Sequence, residues 1–171
     1  MSKFEKRGVV EAEISWPKLF SFNKDTKYNP DGEYSCQAVV SKETRDKLVN
    51  DFKITPSRIK DLGNGSYEFK FKRKHKMSDD WILDAPLVFD FEAAKVRMDA
   101  EEGNDINQYV TKWNPDEDGL IGNGTKAKIS FRVYKGPNSP SESVTLEAVG
   151  VTNLVSYASS GASNVDSGPR F

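Results

Sequence analysis

A mainly β chain, closing as a small barrel or sandwich with one short helix and long loops, is the fold class this sequence predicts. Three observations predict it. Apolar and polar residues alternate with period 2 in at least five short segments, glycine-rich turns separate those segments, and a single stretch carries a helix start signal with apolar residues four apart. With 171 residues the chain has room for one ordinary domain whose core needs no staples.

The elements follow in order. From Gly8 to Leu19, Val10, Ala12, Ile14 and Trp16 alternate with Glu11, Glu13 and Ser15, the pattern of a half-buried strand that puts Trp16 on the core side. The Asn-Pro-Asp-Gly of residues 29–32 turns the chain. A second strand from Glu33 to Val40 places Tyr34, Cys36, Ala38 and Val40 on one face. Ser41 is the expected N-cap of a helix over residues 42–52, docked by Leu48 and Phe52. After a Gly-Asn-Gly turn, the segment from Tyr67 to Met77 alternates aromatics with lysines. Residues 87–91 and 96–98 read as short strands, and residues 101–119 as a long loop interrupted by Tyr109 and Trp113. Two further strands, residues 125–134 and 144–157, are separated by a turn-forming stretch. The small, polar residues 158–171 compose a disordered tail. A five-stranded oligonucleotide-binding barrel, the OB-fold, is one architecture that accommodates this list.

Net charge is only −1, from 25 basic and 26 acidic residues, but the charges are segregated. Residues 66–78 hold five cations, Lys70, Lys72, Arg73, Lys74 and Lys76, against Glu68 alone, and residues 79–105 hold nine acids against Lys95 and Arg97. In extended form Lys70, Lys72, Lys74 and Lys76 share one face at about 6.6 Å spacing, with Tyr67, Phe69 and Phe71 on the other. Such a ribbon suits a polyanion; the plainer account is an edge strand kept soluble and unpaired. A second cationic face, Lys126, Lys128 and Arg132 with Tyr134, lies opposite Ala127, Ile129, Phe131 and Val133. Two such ribbons facing a shared groove, with an aromatic to stack bases, would hold a single strand of nucleic acid. Trp113, in the acidic loop, is the other candidate for stacking, or else a cover for the barrel.

Other chemistry is not expected. One cysteine, Cys36, permits no internal disulfide, and with one histidine there is no zinc ligand set. No cofactor is implied. The Gly-Asn-Gly-Thr-Lys at 122–126 lacks phosphate-loop spacing and opens into a strand. The acid clusters at 101–105 and 116–118 have no calcium-loop spacing, so a solvated face explains them better than a nuclease metal site. His75 reads as structural. No catalytic constellation appears, and no enzyme is expected. A signal peptide and a membrane span are not expected either, which fits a soluble protein retained in the cell that makes it.

Three stretches give the chain a family likeness: residues 28–42 (Tyr-Asn-Pro-Asp-Gly-Glu-Tyr-Ser-Cys-Gln-Ala-Val-Val-Ser-Lys), residues 63–72 (Gly-Asn-Gly-Ser-Tyr-Glu-Phe-Lys-Phe-Lys), and residues 120–131 (Leu-Ile-Gly-Asn-Gly-Thr-Lys-Ala-Lys-Ile-Ser-Phe) followed by residues 144–155. In order and spacing they resemble the single-stranded DNA-binding proteins of tailed bacteriophages, podovirus-type replication proteins. The resemblance implies an OB-fold over residues 1–157 that binds single-stranded DNA regardless of sequence in replication, recombination and repair, in the cytoplasm of the infected host cell. It also implies a homodimer and recruitment of the phage DNA polymerase and other replication proteins through the C-terminal tail. By position, Lys126, Lys128 and the lysines of 67–77 would line the DNA groove. The family's strongly acidic tail is not matched: residues 158–171 carry Asp166 as their single acid, although Phe171 supplies the terminal aromatic. The rival reading is a β-rich virion structural or assembly protein.

Overall fold

The computed structural model describes residues 4–155; the expected tail lies outside the described residues. A long first strand, β1 (Phe4–Lys18), is followed by β2 (Glu33–Ser41), helix α1 (Lys42–Asn50), the short β3 (Lys60–Asp61) and the lysine strand β4 (Ser66–Lys74). A small hairpin, β5 (Lys76–Ser78) with β6 (Trp81–Ile82), projects before β7 (Leu87–Asp90) and helix α2 (Phe91–Ala100). A single-turn helix, α3 (Pro115–Asp118), then leads to β8 (Thr125–Lys135) and β9 (Ser143–Asn153).

The main sheet runs β3-β4-β2-β1-β8-β9-β7, and an additional β4–β9 pairing closes β1, β2, β4, β9 and β8 into a five-stranded barrel. Four of the five barrel contacts are antiparallel; the closure is a parallel bridge of one residue pair, Lys72 with Thr145. Because strand side chains alternate, the apolar set of each strand meets inside: Val10, Ala12 and Ile14 of β1, Cys36, Ala38 and Val40 of β2, Phe69 and Phe71 of β4, Ile129, Phe131 and Val133 of β8, and Leu146, Val149 and Val151 of β9 are buried together. Helix α1 plugs one end. The Ser41 hydroxyl accepts the Thr44 N–H at 3.2 Å, as the sequence predicts, and Leu48 and Phe52 enter the core. At Gly8, the absence of a side chain lets the Phe52 ring cross β1 and reach Phe131, 4.9 Å between ring centres.

Three expectations need correction. Residues 96–98 are not a strand but the middle of α2, which Asp90 caps through the Ala93 N–H. The helix buries only Ala94, so it carries no apolar stripe to reveal it. The last strand ends at Asn153 rather than continuing to residue 157. Trp16 does not enter the core: the β1–β2 register shifts between Ser15 and Lys18, Trp16 takes a φ of 50°, and the residue is 66% exposed. The bulge turns the indole over.

Candidate nucleic-acid interface

The lysine ribbon forms as its alternation requires. Burying Phe69 and Phe71 in the barrel drives Lys70, Lys72 and Lys74 to the outside of β4. On β2 they face Gln37 opposite Lys70, Ser35 opposite Lys72 and the acid Glu33 opposite Lys74. Lys70 lies 3.7 Å from the buried carboxylate of Glu33. Lys72 and Lys74 join no ion pair among the described residues. They line a groove of about 290 Å³ together with Met77 and the start of β9, where Ser143 and Thr145 add hydroxyls.

One wall of this groove is fixed by an ion pair in the interior of the loop-to-β9 junction. Glu142 is buried and accepts from the Thr55 N–H (3.0 Å), the Thr55 hydroxyl (2.9 Å) and the Arg58 guanidinium (2.6 Å). Burial alone would raise its carboxyl pKa, but the hydrogen bonds from Thr55 and Arg58 together outweigh burial and hold it down to about 2. The charge is thereby kept, and Ser143 and Thr145 are held against β4.

The second ribbon divides in two. Thr145 is the register partner of both Lys72 on β4 and Arg132 on β8, so β9 alone separates the two strands here, about 10 Å between their axes. Arg132 and Tyr134 therefore border the same end of the barrel as the groove. Arg132 is held 3.0 Å from Glu5, and Tyr134 is exposed opposite Ser143. Lys126 and Lys128 lie towards the other end of β8, facing Glu13 and Glu11 of β1 in register. Lys128 Nζ is 3.4 Å from Glu11 and stands over the Phe91 ring at 5.0 Å. A shared groove for all the cations, as the sequence suggests, is thus corrected to a mixed-charge face at Lys126 and Lys128.

The remaining candidates have other engagements. Arg73 falls on the inward register and donates to the backbone carbonyls of Asp84 (2.7 Å) and Leu146 (3.3 Å), bracing the barrel closure. Lys76 pairs with Asp79 in the hairpin. Trp113 is buried, 6% exposed, with its indole N–H on the Gly119 carbonyl at 2.9 Å; it covers the barrel and has no free face for stacking. His75 meets the Tyr34 hydroxyl at 3.3 Å, a structural contact.

The sequence reading missed the exposed aromatics that crowd the β1–β2 connection: Trp16, Phe22 at 64% exposure and Tyr28 at 78%. Lys18, beside them, is the β1 partner of Ser35, whose β4 partner is Lys72, so the aromatic loop and the lysine face are continuous across three strands. The signal available was Pro17, since a proline inside a strand marks a break in its alternation.

A closed barrel of five strands is the arrangement of the OB-fold. Among solved structures the chain is similar to gp2.5, a single-stranded DNA-binding protein encoded by bacteriophage T7, at 19% identity over 90% of each chain and a TM-score of 0.50. It is also similar to a C-terminal truncation of the single-stranded DNA-binding protein from bacteriophage Enc34, at 13% identity over 87% of this chain and 86% of that one, with a TM-score of 0.54. The fold is that of the phage single-stranded DNA-binding proteins. The Enc34 protein in complex with single-stranded DNA matches it too, at 14% identity over 87% of each chain and a TM-score of 0.51. No protein-family model matches the sequence, and no curated protein does. Among the described residues no group of three or more His, Cys, Asp or Glu is placed to hold a metal ion, and no helix is long and apolar enough to cross a membrane.

Proposed function

We propose that this protein binds single-stranded DNA without regard to sequence and without catalysing a reaction on it. The observation that carries the reading is the pair Lys72 and Lys74, in no ion pair among the described residues, on the outer face of an OB barrel shared with phage proteins of that activity. Phosphates are neutralised by Lys70, Lys72 and Lys74, with Arg132 and Lys18 at the flanks, while exposed rings take the bases. Every base has a face to stack, so affinity is tolerant of sequence. The protein acts on the unpaired strands exposed in phage replication, recombination and repair, in the infected cell's cytoplasm. Residues 158–171 contact the polymerase and other replication proteins, and the chain pairs as a homodimer.

Titration of labelled single-stranded and duplex oligomers of unrelated sequence at two salt concentrations tests the reading. Strong, salt-dependent preference for single strands is the expected result. Equal or absent binding would point to the rival, a virion structural protein whose lysines serve solubility.

A further inference from the structure

The cleft beside Trp16 is unlike the rest of the surface. Leu19 and Ile121, both buried, form its floor, and Trp16 and Phe22 form its rim with Lys18 and Asn123. The Phe20 and Phe22 rings lie parallel, 3° apart at 5.8 Å, which stiffens that rim. Trp16 presents its indole there at a double cost. A bulky residue at a φ of 50° is strained, and so large an exposed aromatic forfeits the burial that strict alternation would have given it. Such conformations persist where the surroundings over-determine them and where function uses them. Here the surroundings are Asn123, whose Oδ1 accepts the Trp16 backbone N–H at 2.6 Å. That bond uses the carboxamide oxygen and leaves its Nδ2, which has no hydrogen-bond partner among the described residues, as a free donor.

We propose that this cleft takes one unstacked nucleobase of a DNA strand whose phosphates cross the Lys72–Lys74 face, with Trp16 as the stacking residue and the Asn123 amide donating to an acceptor on the base edge. The inference rests on the single-strand reading above. At about 290 Å³ the cleft is at the small end for organic ligands, which suits a single base. Its neighbour Lys18 is the ladder partner of Ser35, which pairs with Lys72, so the cleft adjoins the lysine face across three strands. Cations beside flat apolar walls complement a nucleotide and would repel a basic peptide.

The test uses the full chain and its Trp16→Gly and Trp16→Phe variants. Glycine suits the backbone at this position, so the first variant folds. Fluorescently labelled oligothymidylate and an abasic strand of equal length are titrated, and sedimentation is measured for each protein. Trp16→Gly is expected to bind oligothymidylate about tenfold more weakly, with the salt slope and the abasic-strand affinity unchanged, and Trp16→Phe to recover most of the loss. Equal binding of oligothymidylate by parent and Trp16→Gly would overturn the base site while leaving the lysine face intact. Failure of the parent to bind any single strand would overturn both. A dimeric parent made monomeric by Trp16→Gly would show that a second copy covers the cleft, and would overturn it as well.

Discussion

Lys128 stands 3.4 Å from Glu11 across the β1–β8 ladder, whereas Lys72, two barrel strands away, has the hydroxyl residues Ser35 and Thr145 as its ladder partners and joins no ion pair among the described residues. The same residue type therefore has two different electrostatic settings on one barrel. A cation already compensated by a carboxylate and seated on a ring gains less from a phosphate than a bare one.

Replacing Lys72 and Lys74 by Ala is therefore expected to weaken single-strand binding and to lower the log–log salt slope by about 0.7 for each contact removed. Lys128→Ala is expected to change that slope little. Salt titrations of the three proteins check it, and equal slope losses at Lys72 and Lys128 would sink the distinction.

Acid stability should report on Glu142. Its carboxyl is held at about 2 against an ordinary 4.5, so the unfolded chain binds the proton more readily than the folded one. The resulting stabilisation, on the order of 3 kcal/mol, is complete above the ordinary value and is lost as pH falls through the folded one. Urea unfolding from neutral to acid pH should show this fall in the parent, and Glu142→Gln should be less stable at neutral pH with a shallower acid limb.

A methyl group at Gly8 would sit 2.2 Å from the Phe52 ring, which is itself wedged against Phe131. Gly8→Ala should cost about 1–3 kcal/mol through overpacking. Thermal unfolding measures it; a variant as stable as the parent would mean that the ring has room to retreat.

At Trp16 the opposite sign is expected. Trp16→Gly removes a strained φ and an exposed ring, and should raise stability by about 1 kcal/mol. A drop in the denaturation midpoint would show that the indole is held by contacts stronger than its strain.

Burial pushes the Cys36 thiol up to about 12, so in the native protein it is neutral and shielded. Thiol reagents at neutral pH should label it only at the rate of unfolding. Rapid native labelling would contradict the enclosed barrel interior.

How much of this was legible depends on how locally each feature is encoded. The barrel strands were legible because Phe69 with Phe71, or Ile129 with Phe131, declare an inward face by alternation alone. Helix α2 was not, since a helix that buries one alanine leaves no periodic trace. The fate of Trp16 hinged on a bulge, which reverses every side chain after it, and only Pro17 hinted at the break. Trp113 reads the same in sequence whether it covers a core or waits for a base; its bond to Gly119 decides. The division of the second ribbon was invisible because it depends on β1's acids, more than a hundred residues away in the chain, arriving opposite Lys126 and Lys128.

The cylinder is stitched shut along its weakest line by one residue pair, Lys72 with Thr145, and by the Arg73 buckle to Leu146. That seam runs directly beneath the face proposed to carry the polynucleotide. Amide exchange should be quickest along it in the unliganded molecule, and a strand laid over it would act as a clasp, so that occupancy is felt as a tightening of the whole staved vessel rather than of one loop.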